Sequence, residues 1–223
     1  AKPDDNGRLS RRYEGTGPGT ISGGAGDPGG ASYGEYQFSS KQGTAGAFAK
    51  WLEGRHPDWA AELSGAKPGT KEFNAAWSKI AREHPDEFAD AQYAYAKQAF
   101  YKPAAQNVKN ATGLDVGSRS HALQEVLFST AIQHGTGGAR SIFKAALAGK
   151  DPSKMSDEEI IRAIYAERGR TDAGGVPVHF RNASPAVQRG VLNRFRHEVE
   201  DALDMLQREQ QCPPSNTITN PPT

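Results

Sequence analysis

Eleven of the 25 glycines fall between Gly15 and Gly46. Glycine costs conformational entropy inside a helix or strand, so this window reads as loop, turn and short β structure. The fold must therefore set its regular elements around a glycine-rich segment near its start. Within that segment, Asp27-Pro28-Gly29-Gly30 has the proline-glycine order of a type II turn. Residues 31–39 follow, with Tyr33, Tyr36 and Phe38 among small polar residues, and read as a strand or hairpin arm.

The remaining pattern is helical. Leu9 and Tyr13 share a helical spacing, so residues 2–13 read as a short helix or extended lead-in, with Gly15 just past its end. Helices are expected at 44–53, 58–63, 70–84 and 85–101, the third with Phe73, Ala76, Trp77 and Ile80 on one face. Pro103 is expected to interrupt or end the fourth. Residues 120–134 carry Leu123, Val126, Leu127 and Ala131 on one side and form the candidate central helix, stopped by Gly135. A shorter helix follows at 139–148. Ser156-Asp157-Glu158-Glu159 has the form of a capping box ahead of 160–168. Ser184-Pro185 opens a last long helix running to about residue 209. The expected architecture is mainly α, with one small β element near the N-terminus. Residues 1–210 form the domain and 211–223, rich in Pro, Ser, Thr and Asn, a disordered tail.

Composition narrows the function. At 223 residues the chain can bury a core without staples, as one large domain or two lobes. Lys and Arg number 27 against 26 Asp and Glu, so no basic field argues for nucleic acid as a partner. No apolar run approaches the roughly 18 residues of a membrane span. Cys212 has no partner for a disulfide and no context for a thiol nucleophile. The six histidines (His56, His84, His121, His134, His179 and His197) lack the spacing of a zinc site, so no metal is expected. Neither a nucleophile elbow nor a phosphate loop is present.

Three carboxylates beside the glycines are candidates for chemistry. Glu14 would end the first helix, where the negative end of the helix dipole opposes ionisation. A carboxylic acid kept protonated is what glycosidic cleavage needs for the leaving oxygen. The competing reading is an exposed glutamate near the chain end. Asp27 lies in a glycine-lined loop, where it could approach a ligand and activate water; it is equally a turn-former through its own side chain. Tyr33, Glu35 and Gln37 share one face of a strand, pointing into a cleft or into solvent. His134 closes the central helix beside Gly135, either reaching a cleft or carrying a charge suited to a helix C-terminus. Tyr33 and Tyr36 could stack on sugars, whereas Trp51, Trp59 and Trp77 read as core.

The run Tyr13-Glu14-Gly15, Gly17-Pro18-Gly19-Thr20-Ile21-Ser22, Gly26-Asp27-Pro28-Gly29-Gly30 and Ser32-Tyr33-Gly34-Glu35-Tyr36-Gln37-Phe38-Ser39-Ser40 resembles a family of peptidoglycan-degrading domains. These occur in phage tail-associated lysins, at the C-terminus of evolved VgrG spike proteins and in type VI secretion effectors, and look related to chitosanases and lysozymes. The resemblance is close from residue 13 to about 44, with Gln133-His134-Gly135 as a later, weaker match. It implies a lysozyme-like, two-lobed helical fold with a small β-hairpin near the N-terminus and a sugar cleft between lobes. It places the catalytic acid at Glu14 and the second carboxylate at Asp27. Tyr33, Gly34, Tyr36 and Gln37 would line the cleft, while Glu35 gains little from the match. It further implies a muramidase cutting the MurNAc-GlcNAc β-1,4 bonds of peptidoglycan glycan strands, without cofactor or metal. The domain would be monomeric, delivered by a secretion spike or carrier to the periplasm of target bacteria, and opposed there by an immunity protein. A lytic transglycosylase, a chitosanase and a non-catalytic wall-binding module remain alternatives.

Overall fold

The computed structural model describes residues 8–14, 17–23 and 30–212. Helix α1 (Arg8–Glu14) is followed by three two-residue strands, β1 (Ile21–Ser22), β2 (Ser32–Tyr33) and β3 (Phe38–Ser39). They form an antiparallel sheet in the order β1-β2-β3, with Tyr33 opposite both Ile21 and Phe38. The expected hairpin is β2–β3, and β1 adds a third strand. Helices then run as α2 (Thr44–Leu52), α3 (Pro57–Ser64), α4 (Lys71–Glu83), α5 (Pro85–Ala96), α6 (Lys102–Thr112), α7 (His121–Ala146), α8 (Asp157–Arg168) and α9 (Pro185–Gln211).

Side-chain caps set where several of these begin. The Thr70, Ser120 and Ser184 hydroxyls accept the N–H three residues on, and Ser156 with Glu159 forms the full capping box of α8. Pro103 does not end the helical path. It lies in the first turn of α6, and the chain passes from α5 through a π-helical turn, Lys97–Tyr101, directly before it, so the lost N–H falls where the α-helical hydrogen-bond ladder is already interrupted. Residues 120–134 and 139–148 are joined as one path kinked at Gly135, whose φ of 76° and ψ of 170° are outside the helical region.

Two hydrophobic cores result. One joins α1 and α6–α9 through Leu9, Val126, Phe143, Ile161 and Phe195. The other joins the sheet to α2–α5 through Tyr33, Phe38, Phe48, Trp77 and Phe88, and it holds most of the ring–ring contacts. Helix α7 serves both: its Leu123 and Val126 enter the first core and its Phe128 the second. Among the described residues no helix is long and apolar enough to cross a membrane.

Candidate active site

Glu14 is the last residue of α1, which packs on α7 and α9 with Leu9 buried beneath it. Its carboxylate stands 2.7 Å from Nη1 of Arg194 on α9, and its side chain is 14% exposed. The contact is close but poorly aligned with an N–H direction, so it is an ion pair more than a hydrogen bond. Four residues later, at most about 14 Å of chain, the Pro18 carbonyl is held by the other core. It accepts from Trp77 Nε1 at 2.8 Å and Gln92 Nε2 at 3.0 Å. Glu14 therefore lies where the chain leaves one lobe for the other.

Behind Glu14 runs a buried chain of alternating charge. Arg194 donates from Nε to Glu198 Oε1 at 3.1 Å, one turn along α9. Glu198, fully buried, accepts at Oε2 from Arg168 Nη1 at 2.7 Å, from Ser129 Oγ at 3.0 Å and from the Tyr165 hydroxyl. Arg168, also fully buried, reaches on to Gln133 Oε1 and to His134 Nε2 at 3.3 Å, with the rings of Tyr165 and Phe195 against its guanidinium. Burial opposes the charge of Glu198, but Arg168 and then Arg194 outweigh it and hold the carboxyl below its ordinary range. Burial likewise opposes the charge of Arg194, yet Glu14 and then Glu198 raise its pKa above the ordinary value. Burial, followed by Glu198, pushes the Tyr165 phenol up. Tyr13 lies under Arg194, its ring 5.4 Å away, and donates its hydroxyl to Asp201, so α1 is fastened to α9 beside the site.

His134 joins this chain as an acceptor. Burial first, then Arg168, His179 and Arg194, lower its pKa to about 2, so the ring is neutral. A charge suited to a helix C-terminus is therefore not its role, and its Nε2 is already engaged by Arg168.

The β2–β3 turn is fixed from α5. Gln92, fully buried, accepts the Glu35 N–H at Oε1 (3.0 Å) while its Nε2 holds Pro18. Gly34 makes this approach possible: its φ is +77°, and a Cβ there would lie 2.2 Å from Gln92 Oε1. Glu35 is itself buried. Gln37, at φ 52°, turns its amide back on the turn, donating to the Gly34 carbonyl at 2.9 Å and accepting from the Ser22 hydroxyl.

Tyr33 and Tyr36 differ from the expected cleft lining. Tyr33 packs against Phe73 and Trp77, its hydroxyl donates to Asn74 and accepts the Gly69 N–H, and it has no exposed surface. Tyr36 packs on Phe38 and Phe128 and is almost fully buried. Their rings build the sheet's core and leave no face for a sugar. Asp27 lies outside the described residues. The structure thus links Glu14 and His134 through one network and puts Glu35 and Gln37 on the pinned turn.

Arg168, Arg194 and Glu198 were not singled out in the sequence, though two of them left a signal. Arg168 follows Ile160, Ile161, Ile164 and Tyr165 on the buried face of α8, and Glu198 lies with Phe195, Ala202 and Leu206 on that of α9. Opposite charges on two apolar stripes must meet or be expelled.

Comparison with known proteins decides the family. Residues 6–199 match the model of the type VI secretion system spike protein VgrG3-like, C-terminal family. The chain belongs to this family. A curated relative is the type VI secretion system spike protein VgrG3 of Vibrio cholerae serotype O1, 36% identical over 157 residues. That match takes in 70% of this chain but only 15% of the spike protein. Among solved structures, this VgrG3-like domain superposes on a Gynuella sunshinyii GH46 chitosanase in complex with chitotetraose. The TM-score is 0.58 at 13% identity, over 94% of this chain and 91% of that one. A native chitosanase from Bacillus subtilis MY002 gives 0.53 at 19% identity, over 92% and 86%. At such identities the likeness establishes the chitosanase-like, lysozyme-like fold.

Proposed function

We propose that this chain is a glycoside hydrolase acting on the glycan strands of peptidoglycan, as a muramidase, with Glu14 as its acid. The observation that carries the reading is Glu14 itself: a largely buried carboxyl at the lobe boundary, oriented by Arg194. On this reading Glu14, paired with Arg194 at rest, takes up a proton and delivers it to the glycosidic oxygen as the bond to the anomeric carbon breaks. The carboxylate left behind is stabilised by the guanidinium 2.7 Å away, which needs no rearrangement to meet the new charge. Asp27 is proposed as the second carboxylate, activating water or stabilising the oxocarbenium ion. A separation of about 6.5–9.5 Å between the two carboxyls goes with inversion and about 5–5.5 Å with retention.

Membership of a spike-protein family supports carriage by a secretion spike, and delivery to the periplasm of target bacteria follows as part of the proposal. Chitosan hydrolysis is the second reading, favoured by the chitosanase fold. The deciding experiment digests purified peptidoglycan and chitosan with wild type and Glu14→Gln and identifies the new ends by mass spectrometry. Reducing MurNAc ends, lost in Glu14→Gln, are expected. Anhydro ends would assign a transglycosylase, and glucosamine oligomers a chitosanase. No soluble product from wild type would sink the enzyme reading, and full activity in Glu14→Gln would exclude Glu14 as the acid.

A further inference from the structure

A second fully buried carboxylate lies outside the Arg194–Glu198 network. Glu125 of α7 has no exposed surface; its Oε2 accepts the Leu9 N–H at 3.0 Å, and its Oε1 stands 3.8 Å from His121 Nε2, one turn earlier. Leu9 is the second residue of α1, so the bond reaches an N–H that the first turn of a helix leaves without an intrahelical partner. A carboxylate there makes a charge-assisted bond and complements the positive end of the helix dipole. Helix α1 has only seven residues, too few to hold its shape alone. Its other end is Glu14, five residues or about 7.5 Å along the axis. The helix is thus gripped at both ends, by Glu125 at its start and by Arg194 at its finish.

We infer that Glu125 is a positioning residue for Glu14. Its hydrogen bond to Leu9 fixes the tilt and register of α1 and so fixes where the Glu14 carboxyl meets the scissile oxygen. The inference rests on the reading of Glu14 as the acid. Loss of this grip acts on the chemical step, because it displaces the proton donor. A shift of about an ångström in a reacting group costs up to about a hundredfold in rate.

The test compares wild type, Glu125→Gln and Glu125→Leu in the full 223-residue chain. It reads reducing-end release from purified peptidoglycan and amide hydrogen exchange of residues 8–14. Gln keeps an oxygen for the Leu9 N–H and Leu removes it. Glu125→Leu is expected to lower kcat about ten- to hundredfold with apparent KM within about twofold, and to speed exchange in α1 alone. Glu125→Gln is expected to stay within about threefold of wild type. A Glu125→Leu enzyme with wild-type kcat overturns the inference. So does exchange that rises throughout the chain, or a Gln variant as impaired as the Leu variant. If Glu125→Leu does not fold, a semisynthetic chain with an ester in place of the Arg8–Leu9 amide removes the Leu9 donor while keeping every side chain, with an ester at Arg12–Tyr13 as the control for the weaker carbonyl. The same loss of kcat is expected from the Arg8–Leu9 ester, and wild-type kcat overturns the inference. Should wild type release no reducing ends, the reading of the site fails separately. Exchange in α1 then judges the grip of Glu125: faster in Glu125→Leu supports it, unchanged refutes it.

Discussion

Glu14, Arg194, Glu198 and Arg168 form a single file of alternating charge, and removing an inner member leaves one neighbour without its ion-pair partner, Arg168 when Glu198 is lost and Glu14 when Arg194 is lost. Breaking a buried pair by deleting one partner costs about 3–5 kcal/mol. Glu198→Ala should therefore lower unfolding stability by about that much in urea titration, and lower activity too, since Arg194 loses the group that aims it at Glu14. Acid should act on the same file through two groups of the same sign. Glu198 has a depressed folded pKa, so the stability it adds is present above its ordinary value of 4.5 and lost as pH falls through the folded value. His134 falls from 6.5 to about 2, so the unfolded chain binds a proton that the folded one refuses. Stability is thus complete above pH 6.5 and declines below it, and between 6.5 and 4.5 the decline belongs to His134. His134→Gln keeps an acceptor for Arg168 and should flatten the stability–pH curve in that window by up to about 1.4 kcal/mol per pH unit. An unchanged slope in denaturant titrations would refute the buried neutral ring. The sequence points to Glu14 through its place at the end of α1 and through the family resemblance, and the structure puts its carboxyl at the lobe boundary. Its partner Arg194 left no such signal, because i and i+4 charges on α9 read equally as a solvated pair. Tyr33 and Tyr36 are placed in the cleft by the family resemblance and by their seat on the β element, and neither says which rings turn into the core.

At the scale of elements, legibility followed local chemistry. The hydroxyl caps of α4, α7, α8 and α9 act within three residues, so those starts were readable. The continuation through Pro103 into α6 was not, because it depends on a π-helical turn that the packing of Phe100 and Tyr101 against both cores supports. β1 escaped because two residues carry no period, and its pairing is dictated by where Pro18 is held. Two glycines separate backbone from contact effects. At Gly135 an added Cβ would meet nothing within 4 Å, so Gly135→Ala suffers only its unusual φ and ψ, about 1–3 kcal/mol. At Gly34 the same positive φ is joined by a Cβ 2.2 Å from Gln92 Oε1, so Gly34→Ala must also displace Gln92. Thermal melts should rank Gly34→Ala below Gly135→Ala, and the reverse order would show that the turn does not need Gln92 so close.

Across the whole molecule, the segment leaving Glu14 is held at two points on different cores: Glu14 by Arg194 on the α6–α9 side, Pro18 by Trp77 and Gln92 on the α2–α5 side. The proposed acid is therefore placed relative to the β2–β3 turn by two clamps, and Gln92 serves the turn as well as the segment. Gln92→Leu keeps the volume and removes both roles. Pro18 retains the Trp77 N–H, so the segment is loosened rather than freed. The Glu35 N–H loses its Gln92 acceptor inside the protein, at a cost of about 1–3 kcal/mol. For a chain of this size that corresponds to a fall in Tm of about 2–12 °C. Activity should fall more than this stability loss accounts for when measured well below the transition, because the spacing between Glu14 and the turn is no longer fixed. Trp77→Phe removes the other donor to Pro18, and the double variant should lose more than the sum of the singles, since only then is the carbonyl without either partner. Additive losses in that double-mutant cycle would show that the two clamps do not act on one segment.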